Sequence, residues 1–353
     1  MNTKFQSRLT PDVSALSAAA VVTKKLRAAV IGVGYLGRFH AQKYAALRAV
    51  NGDVELVGVV DAHPETAQRV AQELGVAAFT DYRELLGVTG SKGARVDLVS
   101  VASTTETHHV VARDCLAAGV HVLAEKPITV TVAQADELIA LADAKHLVLQ
   151  VGHLERFNPA WLAVKDRIKQ PVFIEAHRMA PFKARGIDVS VVLDLMIHDL
   201  DLILPLVGSP VTDLRACGVS VLTDDIDIAN ARIEFANGCV ANLTASRTST
   251  ASLRRLRVFQ HHEYISVDFG ERRVVISRKR EGPLEELAAD QLPIDSETFQ
   301  QAPGDALLTE IQAFVDAVKN GTRPIVSGRE GRDALALALE IDRMIAARRN
   351  PLP

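Results

Sequence analysis

The sequence predicts an α/β protein: a doubly wound parallel sheet comes first, and an α+β domain built on a mostly antiparallel open sheet follows. Three observations carry this. Up to Gly152, short apolar runs alternate with helical stretches through short connections. Beyond it, strand-like runs follow one another with turns between them. The first run also ends in Ile31-Gly32-Val33-Gly34-Tyr35-Leu36-Gly37, a G-x-G-x-x-G turn.

The elements follow in order. The strand Ala28 to Ile31 feeds the glycine turn. Gly32 permits the tight turn, Gly34 lets backbone approach a pyrophosphate, and Gly37 lets the next helix pack on the sheet. That helix, Phe39 to Leu47, offers free N–H groups and a partial positive charge to phosphates at its start. The second strand, Val54 to Val60, ends in Asp61, whose carboxylate suits a ribose diol and repels a 2′-phosphate; Ala62, His63 and Pro64 follow, with no arginine. These features predict a Rossmann dinucleotide site selective for NAD, with Gly32, Gly34, Tyr35, Leu36, Gly37 and Asp61 at the cofactor.

The alternation continues with helix His63 to Leu74, short strand Ala77 to Phe79, buried strand Val96 to Ala102 and helix Thr107 to Ala118, closed by Gly119. Strand Val120 to Ala124, helix Val132 to Lys145 and strand Leu147 to Val151 complete the domain over 24–152. Ala102 and Ser103, at a strand end, are expected at the cofactor, as is His108. His108-His109 near a helix start reads equally as a ligand contact or a polar helix end.

Domain 153–353 opens with helix Pro159 to Ile168. Strands Phe173 to Met179, Val211 to Leu222, Ala229 to Phe235, Val240 to Arg247, Leu256 to Gln260, Tyr264 to Phe269 and Arg273 to Ser277 follow, with a hairpin at Asn237-Gly238. Val191 to Val207 reads as a helix on one side of that sheet, and Leu307 to Lys319 and Arg332 to Arg348 as amphipathic helices broken at Gly321 and Pro324.

At 353 residues and 48% apolar, the chain can fill two cores. Its net charge of -3, from evenly scattered acids and bases, gives no footprint for nucleic acid or an anionic membrane. No apolar run is long enough to span a bilayer. Cys115, Cys217 and Cys239 stand far apart, which argues against disulfides and fits a reducing cytoplasm. Residues 1–23 lack a signal-peptide layout and are expected to be a loosely ordered extension or the product of a start codon assigned too far upstream.

Glu125-Lys126-Pro127 stands at the end of the fifth strand, on the carboxyl edge where ligands sit in such sheets. Glu125 and Lys126 are therefore expected at the cofactor, where the Lys126 ammonium can stabilise an alkoxide beside a nicotinamide; the alternative is a surface lysine at a turn. Pro127 is a candidate cis proline, which sequence alone leaves open. Asp194 and His198 lie four apart on one helix, so they share a face, and a carboxylate beside an imidazole is the usual answer to the need for a neutral-pH base. Asp201 is a second carboxylate candidate. The alternative is a helix start carrying acids and an incidental histidine. No third ligand follows at a characteristic spacing, so no metal is expected. At the domain junction His153, Arg156 and Asn158 can face a substrate cleft. Arg178, Lys183 and Arg185, within His177 to Gly186, suit a loop that holds an anion, although a solvated basic loop reads nearly as well.

The set G-V-G-Y-L-G-R-F-H at Gly32 to His40, E-K-P at Glu125 to Pro127, R-F-N-P at Arg156 to Pro159 and D-L-M-I-H-D at Asp194 to Asp199 resembles the Gfo/Idh/MocA family from Leu26 onward. The resemblance implies oxidation or reduction of a secondary hydroxyl on a sugar or cyclitol, with Lys126, Asp194 and His198 as the catalytic group. V-G-H-L-E-R-F-N-P-A, the segment Glu175 to Gly186, V-V-L-D-L-M-I-H-D-L-D-L-I and N-G-C-V-A-N-L-T-A-S-R resemble a narrower branch. Its members oxidise the 3-hydroxyl of UDP-linked N-acetylglucosamine for a partner aminotransferase, on the way to 3-amino sugars in lipid A. That likeness implies His198 as base, Lys126 at the alkoxide, Asp194 orienting His198, and a homo-oligomer. The competing expectations are an inositol or other sugar dehydrogenase of the same family, and a non-catalytic NAD-sensing regulator, against which Lys126, Asp194 and His198 argue.

Overall fold

The mostly apolar runs L-R-A-A-V-I and V-E-L-V-G-V-V, of six and seven residues, are too short for buried helices, and they pair side by side. The computed structural model describes residues 25–50, 52–86, 96–182, 189–282 and 293–349. Its first part runs β1 (Leu26–Ile31), α1 (Tyr35–Val50), β2 (Val54–Val60), α2 (Pro64–Leu74), β3 (Ala77–Phe79), β4 (Leu98–Val101), α3 (Thr105–Ala117), β5 (His121–Glu125), α4 (Val132–Ala144) and β6 (Leu149–Gly152). The six strands form one parallel sheet in the order β3-β2-β1-β4-β5-β6. Strand order reverses between β1 and β4, so the connections leaving their carboxyl ends diverge and a crevice opens there.

The remainder runs α5 (Pro159–Leu162), β7 (Phe173–Met179), a π turn (Val192–Met196) leading into α6 (Ile197–Val207), then β8 (Val211–Val219), β9 (Ile228–Phe235), β10 (Val240–Ser246), β11 (Leu253–Gln260), β12 (Glu263–Asp268), β13 (Arg273–Lys279), β14 (Ile294–Gln300), α7 (Ala306–Asn320) and α8 (Gly328–Arg349). The second sheet has the order β14-β13-β12-β11-β7-β10-β9-β8, and β7–β10 is its one parallel pair among the described strands. One face is buried: Ile174 and Ala176 of β7, Ala241, Leu243 and Ala245 of β10, and Leu256 and Val258 of β11 enter the same core as α6 and α8. The small residues on this face let the helices come close.

α7 and α8 return to the first sheet. Ile311 and Phe314 pack with Tyr44 and Leu47 of α1, and Leu335 joins the core beneath β4 and β5. Ala338, Ile341 and Ile345, further along α8, belong to the second core, so α8 fastens the two sheets together. No helix among the described residues is long and apolar enough to cross a membrane.

Several elements differ from expectation for physical reasons. The strand expected over 211–222 stops at Val219, because the Asp227 carboxylate gathers the N–H groups of Val221, Leu222 and Thr223 and curls the chain. The helix expected over 159–168 breaks after Leu162 and resumes as a 3-10 turn over Lys165–Arg167. β14 has the polar sequence I-D-S-E-T-F-Q and sits exposed at a sheet edge, with no apolar alternation to announce it. α8 starts at Gly328 rather than Arg332; a Cβ on Gly328 or Gly331 would strike Leu149 or Val151, so these glycines bring the helix against β6.

Candidate functional site

The glycine turn is shaped as its sequence requires. Gly32 has φ +84°, and a Cβ there would run into the Ser103 backbone; a Cβ on Gly37 would land on the Gly32 carbonyl. Gly34 has nothing within 4 Å of that position, so bare backbone faces open space. Asp61 anchors the turn: its Oδ2 accepts from Val33 N at 3.0 Å and its Oδ1 from His63 N at 2.9 Å. A cleft of about 830 Å³ opens here, lined by Gly32, Gly34, Tyr35, Asp61, Ala102 and Ser103 among others. Tyr35 and Leu36 start α1 with their side chains exposed. Open backbone beside a helix start, with a carboxylate at the next strand end, fits a dinucleotide.

His108 and Glu125, both expected at the cofactor, are buried and have their side chains engaged by protein groups instead. His108 is buried, with Nδ1 2.9 Å from Pro127 O and Nε2 3.1 Å from Ser103 O, so it ties the loop after β4 to the turn after β5. His109 instead pairs with Glu137 near the surface. Glu125 Oε1 meets buried His40 Nε2 at 2.8 Å, and its Oε2 accepts from Lys126 N at 3.3 Å. Burial pushes this carboxyl up, but the hydrogen bond and charge of His40, aided by His108 and Lys126, outweigh that and hold it below its ordinary value. Gly152 is small because Glu125 lies against it.

Beyond Glu125, the Lys126–Pro127 bond is cis. Lys126 Nζ donates to Asp194 O at 2.7 Å and lies 3.4 Å from Asp194 Oδ1, joining the carboxyl edge of the first sheet to the π turn of the second domain. Burial lowers the Lys126 ammonium below its ordinary value, with the charges of Asp194 and Glu125 opposing it. The sequence predicts a regular helix on which Asp194 and His198 stack; the structure corrects this. Ile197 N bonds Val192 O, five residues back, and this wider turn takes positions four apart out of line. Asp194 consequently faces Lys126 and makes no hydrogen bond to His198.

His198 is half-buried, and its buried Nδ1 has no hydrogen-bond partner. Burial first, then the charges of Lys126 and Arg178, hold its imidazole well below 6.5, so it stands neutral at pH 7. The His153 ring, at the end of β6, lies edge-on to it with centroids 6.2 Å apart. Both His153 nitrogens are buried without partners, and burial lowers its pKa as well, partly opposed by Asp201.

The other residues singled out from sequence are committed elsewhere. Asp201 does not reach His198 but holds Arg156 at 2.6 Å from Nε and 3.1 Å from Nη2, with its carbonyl taking Nη2 as well. Asn158 caps α5 through Ala160 N and donates to Glu155 and Phe269 O. Arg178 lies on β7, the strand expected over Phe173 to Met179, and is buried rather than open to an anion: Asp199 grips it through Nε and Nη2 at 3.0 and 2.8 Å and Glu155 through Nη1 at 2.9 Å. Lys183 and Arg185 lie outside the described residues. Unforeseen from sequence are the carboxylates Glu155, Asp199 and Glu310. Glu310, on α7, lies close to His40 and Glu125, and its burial and the nearby Glu125 charge push its carboxyl well above 4.5, toward the protonated form. The H of G-x-G-x-x-G-x-x-H and the E of E-K-P were the signals of this cluster in the sequence; Glu310 had none.

Two family models match the chain: an oxidoreductase family with an NAD-binding Rossmann fold over residues 26–153, and the GFO/IDH/MocA C-terminal domain over 170–265. The chain is 42% identical, over 90% of its length and 96% of the other's, to UDP-N-acetylglucosamine 3-dehydrogenase of Acidithiobacillus ferrooxidans. The solved structure of that protein matches with TM-score 0.84, covering 92% of this chain and 98% of the other. Myo-inositol 2-dehydrogenase of Thermotoga maritima is 27% identical over 92% of this chain and 98% of the other.

Proposed function

This chain belongs to the Gfo/Idh/MocA family of NAD-binding oxidoreductases, and we propose that it oxidises the 3-hydroxyl of UDP-N-acetylglucosamine to the 3-keto sugar. Bound NAD serves as hydride acceptor. The observation that carries the reading is the meeting of Lys126, from the end of β5, with the π turn that leads to a neutral His198. His198 accepts the hydroxyl proton, and its depressed pKa keeps it ready to do so at neutral pH. The Lys126 ammonium donates to the same oxygen as its charge develops, and Asp194 holds that ammonium in place. Gly32, Gly34 and Gly37 present backbone to the pyrophosphate, Ala102 and Ser103 line the same cleft, and Asp61 accepts from the ribose. His153, with two unpartnered ring nitrogens beside His198, is a substrate contact.

The 42% identity over nearly the whole chain favours the nucleotide sugar over inositol. A 3-keto sugar is a ready amine acceptor, so an aminotransferase that makes a 3-amino sugar, destined for lipid A, is the partner reaction. We also assign a homo-oligomer and a cytoplasmic setting. The test is mass spectrometry of UDP-N-acetylglucosamine with the protein and NAD, plus an aminotransferase and glutamate to draw the equilibrium forward. A 3-amino product that needs both proteins is expected; NADH from inositol or a free sugar, with no conversion of the nucleotide sugar, would overturn the substrate.

A further inference from the structure

We infer that Arg254 binds the diphosphate of the substrate and so selects a nucleotide sugar over a free one; this rests on the proposed function. Arg254 of β11 lies directly across from Arg178 of β7, and paired residues of neighbouring strands point to the same face. That face carries α6, and with it His198. Further along β11, Leu256 and Val258 on this face are fully buried, whereas the Arg254 side chain is 56% exposed. It therefore stands where the core ends and the site opens. Its charge reaches the interior too, for it contributes to holding the His198 imidazole low.

The remaining cations around His198 are occupied. Arg178 is closed by Asp199 and Glu155, Arg156 by Asp201, and Lys126 by Asp194. Arg254 has only a loose contact, Nη1 to Glu155 Oε1 at 3.7 Å, and that oxygen already accepts from Arg178 at 2.9 Å. Among the described residues near His198, its planar fork is the one left open to an incoming anion. The two carboxylates beside this pair, Glu155 and Asp199, are both engaged by Arg178 within 3.0 Å, so among the described residues the Arg254 fork has no close partner of its own. A diphosphate matches that fork with two parallel charge-assisted hydrogen bonds. The chemistry of the substrate agrees, since four bonds separate the reacting carbon from the first phosphorus. A diphosphate is therefore bound to lie near whatever holds the 3-hydroxyl at His198.

The experiment compares wild type with Arg254→Gln and Arg254→Lys by calorimetric titration of UDP, steady-state oxidation of UDP-N-acetylglucosamine, and NAD titration. Arg254→Gln is expected to raise both KM for the sugar nucleotide and Kd for UDP about 10- to 100-fold, with kcat changed less than about threefold. NAD affinity should stay level, which also reports that the protein is folded. Arg254→Lys should recover part of the loss, since it keeps the charge without the fork. Wild type that binds UDP with Arg254→Gln binding it equally well would overturn the assignment of Arg254 alone. Wild type that binds no UDP and oxidises no UDP-sugar would overturn the substrate reading, and the assignment with it.

Discussion

Lys126 Nζ lies 2.7 Å from the Asp194 backbone oxygen, closer than the 3.4 Å to the Asp194 carboxylate. The ammonium is thus placed mainly by a carbonyl that the π turn exposes, and the carboxylate adds charge. Replacing Lys126 with Met should cost about 10²- to 10³-fold in kcat, the usual worth of one donor to a developing oxyanion, with NAD affinity kept. Asp194→Asn preserves the carbonyl contact and should cost less. Steady-state kinetics of the two variants decide the point: an Asp194→Asn loss as large as that of Lys126→Met would show that the carboxylate does more than steady the lysine.

His198 is expected to set the acid limb of the rate profile. Burial and the charges of Lys126 and Arg178 hold it well below 6.5, so kcat/KM should stay flat through neutral pH and fall only well under that value. His198→Asn should lose about 10²- to 10⁴-fold in turnover and lose that limb with it. Stability carries the same sign. Below 6.5 the unfolded chain takes up a proton that the folded imidazole refuses, so stability drops as pH falls, and the Asn variant should lack this part of the slope. An acid limb at or above 6.5 in the wild type, retained in His198→Asn, would assign the titration to another group.

Whatever follows from local pattern was legible in the sequence: the parallel sheet, the glycine turn, Asp61 at a strand end, and Lys126 at the carboxyl edge of β5. Side-chain direction was less so. Arg178 reads as an anion-holding cation beside Lys183, but on β7 it faces Asp199 and Glu155, residues that strand periodicity alone cannot bring to it. The spacing of Asp194 and His198 promises a stacked pair only if the helix is regular, and no residue in V-L-D-L-M announces a π turn. Glu310 was invisible because 185 positions separate it from Glu125. Such long-range meetings arise when α7 folds back on α1, a feature of topology rather than of local sequence.

Glu310 should make the protein lose stability as pH rises. Burial, then the charges of Glu125 and Asp201, push its carboxyl well above 4.5. Above 4.5 the unfolded chain releases this proton while the folded chain keeps it, which favours unfolding by up to about 1.4 kcal/mol per pH unit. Glu310→Gln is neutral at every pH and nearly the same shape. Its stability relative to wild type should therefore grow from pH 5 to pH 8 in urea titrations, until wild-type Glu310 ionises. A difference that stays constant over that range would mean that the carboxyl is ionised in the folded protein.

Asp61 should govern the choice between NAD and NADP. Its carboxylate already accepts from Val33 N and His63 N and lines the cofactor cleft, so Asp61→Ala removes both an anchor of the glycine turn and the acceptor offered to the ribose. NAD affinity should fall about 10- to 100-fold. NADP affinity should fall less, or rise, because the negative charge that repels a 2′-phosphate goes as well. Arg83 lines the same cleft, with its guanidinium over the Tyr82 ring at 4.9 Å and 3.4 and 3.5 Å from the Asp81 carboxylate, so it stands within the cleft as a cation that can turn toward that phosphate once Asp61 is gone. Fluorescence titration of both cofactors against Asp61→Ala and the double variant Asp61→Ala, Arg83→Ala separates the two effects. If the double variant keeps the full relative gain for NADP, relief of repulsion alone sets selectivity; if the gain vanishes, Arg83 supplies the attraction. Unaltered NAD affinity in Asp61→Ala would remove Asp61 from the ribose site.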